Sequence, residues 1–78
     1  MSEHESKSEM ARLLRRIELE YQAIQRALTG PALGAARHEF IRARNENIGR
    51  YHEQLVTQVG DAEAIHMVYD VHVSVIGE

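Results

Sequence analysis

The sequence predicts an all-α protein: an antiparallel helical hairpin of coiled-coil type with a short C-terminal helix, assembled as a homodimeric helical bundle. Two segments with heptad patterns, residues 10–28 and 37–57, lie on either side of one helix-breaking tripeptide, Thr29-Gly30-Pro31. A sustained seven-residue recurrence of apolar residues is typical of a helix that packs against a partner along its apolar seam. We therefore expect the two segments to pack against each other.

The first helix is expected over residues 8–29. Apolar side chains recur along it at alternating spacings of four and three residues, which is the a/d seam of a coiled coil. These side chains are Met10, Leu14, Ile17, Tyr21, Ile24 and Leu28. Ser6 or Ser8 is expected to cap the helix, since Ser6 and Glu9 have the spacing of a capping box. Residues 1–7 are expected to form a disordered tail.

The second helix is expected over residues 31–59. Gly30 is expected to end the first helix in the left-handed conformation, and the first turn of the next helix tolerates Pro31. At 1.5 Å per residue the second helix would be about 43 Å long and the first about 33 Å. Its far end is therefore expected to extend past its partner.

Three heptads can be laid over one another in this helix: RHEFIRA, RNENIGR and YHEQLVT. One column is apolar and contains Ile41, Ile48 and Leu55, with Val59 extending it. The column on the opposite side is Glu39, Glu46 and Glu53. Arginines four residues from Glu46 indicate local ion pairs on a solvated face.

The last segment, residues 61–76, fits both a helix and a strand. Its β-branched residues alternate as in a strand, but the chain contains no second strand to satisfy the backbone of a single one. We predict a helix, capped at its start by Asp61, with an intermolecular strand as the alternative. Its apolar side would contain Ala64, Ile65, Val68, Val71, Val75 and Ile76. Val73 does not fit this pattern.

Length and composition indicate one small intracellular domain. A chain of 78 residues buries only about 60–65 % of its unfolded surface, so its core is marginal and oligomerisation would stabilise it. The absence of cysteine excludes a disulfide framework and thiolate chemistry. The polar start and the lack of long apolar runs predict neither a signal peptide nor a membrane span. We expect a cytoplasmic protein with no membrane partner.

The charges are distributed unevenly along the chain. Residues 10–50 carry eight arginines against four glutamates, a net +4, whereas residues 51–78 carry five carboxylates and no lysine or arginine, a net −5. The two regions either attract each other between subunits, or the basic region meets nucleic acid. The alternative function is thus a nucleic-acid-binding accessory protein. Its phosphate-facing residues would be Arg12, Arg15, Arg16, Arg26, Arg42 and Arg50.

No catalytic, cofactor-binding or metal site is predicted. Glu63 and His66 have a Glu-x-x-His spacing, but both lie on the polar side of the last predicted helix. His38 and His52 are separated by about 21 Å of helix and cannot share an ion within one subunit. No phosphate-binding loop, nucleophile motif or zinc pattern is present. A second alternative, an enzyme subunit with a site between chains, has no residues that identify its substrate.

Arg37 and Arg44 project into the apolar stripe of the second helix, where a charge must be paired or reach out along its own stem. Either their heads reach carboxylates such as Glu18 or Glu20 on the neighbouring helix and set its register, or they face a partner or an anionic ligand. The first alternative predicts that Arg44→Ala lowers stability by more than about 1.5 kcal/mol, the upper limit for an exposed ion pair.

The sequence therefore predicts a small non-catalytic helical interaction or assembly module. It would act through self-association, most simply as a dimer, and through a partner protein. The predicted interface residues are Leu14, Ile17, Tyr21, Ile24, Phe40, Ile41, Arg44, Ile48, Tyr51, His52, Leu55 and Val59. The candidate contacts for an anion or partner are Arg37 and Arg44.

Overall fold

The computed structural model describes residues 3–31 and 34–77, with side chains from residue 7 onward, and within these ranges it contains three α-helices and no strand. The helices are α1 (Glu3–Thr29), α2 (Gly34–Val59) and α3 (Asp61–Val75). Each helix contacts both of the others, so the chain forms a three-helix bundle. The all-α prediction is confirmed, and the last segment is a helix rather than a strand.

The first helix begins earlier than the sequence predicted. α1 starts at Glu3, so Ser6 and Ser8 lie inside it and do not cap its start. Residues 3–7, which were expected to belong to a disordered tail, form its beginning. Because α1 has 27 residues and α2 has 26, the expected extension of α2 past its partner is wrong. The spacing of a capping box is not sufficient to start a helix here. Glu and Lys residues near it favour helix formation, so the helix continues through these serines.

The connection between α1 and α2 contains Gly30 and Pro31, while Ala32 and Leu33 lie outside the described residues. α2 begins at Gly34 and not at Pro31. Gly30 does not take the expected left-handed conformation, but a Cβ there would lie 3.0 Å from the carbonyl oxygen of Arg26. A side chain at this position would crowd that backbone carbonyl, so the close approach favours glycine.

Gly60 makes the break between α2 and α3. Its φ of 89° lies in the left-handed region that favours glycine. Its N–H donates to the carbonyl of Val56 at 2.9 Å, and its own carbonyl accepts from the N–H of Ala64 at 3.0 Å. Gly60 is itself the N-cap, without a side-chain hydrogen bond, so the prediction of Asp61 as the cap is wrong. Asp61 lies in the first turn, where a negative charge stabilises the helix.

The core lies where the three helices meet. Its buried apolar residues are Leu13, Ile17, Ile24, Ile48, Leu55 and Ala64. Ala64 is the buried residue of α3, and its small side chain lets that helix approach the hairpin closely. Most of the predicted seam residues of α1 and α2 thus pack within one chain. Leu28 is the exception in α1, since it is 51 % exposed.

An exposed glycine in the middle of α2 gives a first testable prediction. Gly49 has no atom within 4 Å of the position a Cβ would take, and glycine in a helix interior is less favourable than alanine by about 0.5–1 kcal/mol. Gly49→Ala should therefore raise the free energy of unfolding by about that amount, measured by urea unfolding at fixed protein concentration. The matched control, Gly60→Ala, should lower it because of the positive φ. A loss of stability in Gly49→Ala would contradict the expectation.

Candidate interaction surface

A buried carboxylate joins α1 to α2. Glu20 is only 8 % exposed; its Oε1 accepts from Nη1 of Arg44 at 3.1 Å, and its Oε2 accepts from Nδ2 of Asn47 at 2.6 Å. The Oδ1 of Asn47 accepts from Arg50, and the Arg44 guanidinium lies 5.1 Å from the ring centre of Phe40. Of the two alternatives for Arg44, the structure contains the pairing with a carboxylate of the neighbouring helix.

Arg37 has a different partner from the carboxylates that the sequence suggested. Its Nη2 donates to the carbonyl of Gly30 at 3.1 Å, so it satisfies backbone at the end of α1, where carbonyls lack helical partners. Beside it lies an open, mostly apolar groove of about 460 Å³, and Arg26 and Arg37 are among the residues that line it. Arg37 of α2 thus binds the backbone at the end of α1 and also lines this groove.

Most of the residues predicted as an interface are already covered within one chain. Ile17, Ile24, Ile48 and Leu55 are buried, and Leu14, Tyr21, Ile41, Arg44, Tyr51, His52 and Val59 are half-buried. Phe40 is 43 % exposed. Buried side chains offer no surface to a second molecule unless the helices separate. The most exposed large apolar side chains, among them Ile65 and Tyr69, lie outside this predicted set.

Several arginines that were candidates for nucleic-acid binding pair with glutamates on their own helix. The pairs are Arg12 with Glu9, Arg15 with Glu18, and Arg42 with Glu39 and Glu46. The hydrogen bond and charge of Arg42 lower the pKa of Glu39 below its usual value, which keeps that carboxylate charged. Arg16 lies 5.9 Å from the ring centre of Tyr51. The positive charge of the paired arginines is largely compensated locally, which leaves less of it for phosphates.

The outward side of α3 carries an exposed apolar stripe. Ile65 is 59 % exposed and Tyr69 is 54 % exposed, although the sequence placed Ile65 on the buried side. We call the following residues the α3 stripe: Ala62, Ile65 and Tyr69, which are exposed, and Val73 and Ile76, which are half-buried. Ile76 also packs against the core. The stripe lies across α3 from the buried Ala64. The misfit of Val73 in the predicted helix was the sequence signal for this second apolar side.

One edge of the α3 stripe is tied to α1 by an aromatic contact. The rings of Tyr21 and His72 meet edge to face, with centroids 5.2 Å apart and planes at 75°, a favoured aromatic geometry. Burial raises the pKa of the Tyr21 phenol. At the other edge, Nε2 of His66 lies 3.8 Å from Oδ1 of Asp70. The stripe is thus flanked by polar groups on a helix that is anchored to the bundle.

The fold and this surface define a small three-helix bundle with an apolar face on its last helix. Among the side chains that the structure describes, no three histidine or carboxylate groups lie close enough to hold a metal ion. Within the same ranges, no helix is both long and apolar enough to cross a bilayer. Comparison with known proteins finds no matching family model, curated protein or solved structure.

Proposed function

We propose that the protein is a non-catalytic assembly module that works by self-association through the α3 stripe. The exposure of Ile65 and Tyr69, one helical turn apart, is the observation that carries this proposal. Association of two copies would cover both side chains. In this proposal the stripe replaces the seams of α1 and α2 as the contact surface.

The energetic case follows from the exposed apolar area. Fully burying a large apolar side chain contributes about 1.5–3 kcal/mol, and Ile65 and Tyr69 each keep more than half of their surface exposed. A symmetric contact uses four such side chains, two from each copy. They supply roughly 3–6 kcal/mol on this scale, and the rest of the stripe adds to it against the entropy lost on association.

The size of the chain supports the same proposal. A 78-residue bundle buries a small fraction of its surface compared with larger domains. Its core contains six buried apolar residues among those described, and one of them is alanine. Association therefore adds apolar burial where a single copy has little. A partner protein that contacts the same stripe is the other form of this function.

The proposal is tested by changing the stripe without weakening the helix. Ile65→Gln combined with Tyr69→Gln removes the apolar surface while keeping good helix propensity. The wild type should form dimers in sedimentation velocity experiments at concentrations on the order of 5–200 μM. This range brackets the micromolar dissociation constant that we expect for a small interface. The double variant should remain a monomer.

The matched control is Leu19→Gln, because Leu19 is 45 % exposed on α1 and lies outside the stripe. This variant should associate as the wild type does. Circular dichroism establishes that all three proteins are equally helical. A wild type that stays monomeric throughout the concentration range, or a double variant that still forms dimers, would refute the proposal.

A further inference from the structure

We infer that two copies of the chain pair through antiparallel α3 helices, about a two-fold axis beside Tyr69; this inference rests on the proposed self-association. The spacing of the α3 stripe carries it. Its five residues are separated by three, four, four and three positions, so the spacings are the same from either end. Tyr69 is the middle residue of the stripe.

A symmetric dimer requires a pattern of this kind. Under a two-fold axis, residue i of one copy meets residue j of the other, and j meets i. In an antiparallel pair centred on Tyr69, positions at equal distances before and after it face each other. Ile65 then meets Val73, and the two Tyr69 rings meet at the two-fold axis. At the two ends, Ala62 meets the part of Ile76 that the core leaves accessible. Every facing pair along the stripe is therefore apolar.

The charges of α3 favour this antiparallel arrangement over a parallel one. Asp61 and Glu63 lie in the first turn of α3, and His72 lies in its last turn. A parallel pair would place the acidic first turns of both copies side by side, together with the like ends of both helix dipoles. The antiparallel pair separates the acidic turns and brings each close to the end of the other helix that carries the histidine.

The polar flank of the stripe is also complementary to itself. In an antiparallel helix pair related by a two-fold axis, the same flank of each helix meets its counterpart. His66 and Asp70 share one flank. In the inferred register, His66 of one copy and Asp70 of the other are offset by only about 3 Å, measured along the helix axis. A histidine ring can donate a hydrogen bond to a carboxylate in both its neutral and its charged form. Two equivalent His66–Asp70 contacts can therefore form across the dimer.

The exposed residues of the α3 stripe are accessible without a rearrangement of the bundle, whereas Ile76 at its end also packs against the core. The stripe points away from the buried Ala64, and Ile76 continues the helix because its N–H donates to the carbonyl of His72 at 2.8 Å. A helix of 15 residues is about 22 Å long. The surface area that one pair of such short helices buries is smaller than the roughly 1,200–2,000 Å² that stable interfaces bury. We expect a micromolar dissociation constant and exchange of subunits on mixing.

Cysteine cross-linking tests the register, because the chain contains no cysteine of its own. Single variants Ile65→Cys and Val73→Cys are made, one with a mass tag, then mixed in equal amounts and oxidised mildly. The products are separated without reducing agent. The inferred register brings residue 65 of one copy against residue 73 of the other. In the same register, residue 65 of one copy lies about 12 Å along the helix axis from residue 65 of the other. This separation exceeds the roughly 7 Å between Cα atoms that a disulfide spans.

The expected result is at least a tenfold excess of the mixed 65–73 disulfide over the 65–65 disulfide and over the 73–73 disulfide. Ser74→Cys, an exposed position on the same helix but outside the stripe, is the control and should not form a disulfide with itself or with either variant. Circular dichroism of each variant establishes that it is folded. Sedimentation of the unmodified wild type is measured in parallel.

Each of the other outcomes contradicts either the inferred antiparallel register or the self-association itself. Dominant 65–65 and 73–73 disulfides would show a parallel pair, and disulfides of Ser74→Cys as abundant as the mixed product would show non-specific collision. A wild-type dimer in which neither position cross-links would place the interface elsewhere and leave self-association standing. A wild type that is monomeric throughout would remove both this inference and the proposed function.

Discussion

Leu55→Ala is expected to lower the free energy of unfolding by about 3 kcal/mol. Leu55 is 0 % exposed and belongs to the core where the three helices meet. Truncating a fully buried leucine loses its transfer free energy and leaves a cavity, and such changes lower stability by about 2–5 kcal/mol. The total stability of a chain of this size is about 4–12 kcal/mol. The variant should therefore unfold at a much lower urea concentration.

Leu19→Ala is the matched control for this experiment, since it removes the same atoms from a side chain that is 45 % exposed. Its effect should be within about 0.5 kcal/mol, as for most surface substitutions. Both variants are measured by urea unfolding at one protein concentration, because association couples to stability. Equal losses in the two variants would contradict the core described above.

Arg44→Ala is expected to lower the free energy of unfolding by about 2 kcal/mol. The change leaves the buried Glu20 carboxylate with Asn47 as its hydrogen-bond donor among the groups described above. A buried charged group that loses a partner costs roughly 1–3 kcal/mol or more. The side chain of Arg44 is 32 % exposed, so solvent screens part of the interaction and the loss stays below that of a fully buried pair.

Two further variants separate the charge of Arg44 from its packing. Arg44→Met keeps much of the stem and removes the head, including an Nε atom that is buried without a hydrogen-bond partner among the described residues. It should be less destabilising than Arg44→Ala. In a double-mutant cycle, the variant that carries both Glu20→Ala and Arg44→Ala should lose less free energy of unfolding than the sum of the losses in the two single variants. The reason is that each single change already removes the interaction between the two side chains.

The exposed pair of Arg42 with Glu46 supplies the control for that cycle. Arg42→Ala should change stability by less than about 1 kcal/mol, as is usual for surface ion pairs. Wild-type-like unfolding of Arg44→Ala would show that the contact with Glu20 does not stabilise the bundle. Arg44 would then be a candidate for binding an anion or a partner.

Several predictions from the sequence agree with the structure because they depend on residues close in the chain. The helix break at Gly60 reflects the conformational freedom of glycine, and the seams of α1 and α2 reflect a period that local geometry imposes. Arg44 was recognisable as a charge in an apolar stripe that needs a partner. The partner itself, Glu20 rather than Glu18, depends on how far the two helices slide past each other.

The sequence by itself determined that the chain is helical and that α1 and α2 meet along apolar seams. The sequence also indicated most of the buried side of α3, since Ala64 is buried and Val68 and Val71 pack against the core. Only the tertiary structure decided where that side ends, because the contacts that leave Ile65 uncovered come from helices distant in the chain. The position of α3 against the hairpin covers Ala64 and leaves Ile65 and Tyr69 in solvent. Periodicity identifies an apolar side, whereas solvent exposure depends on which neighbour covers it.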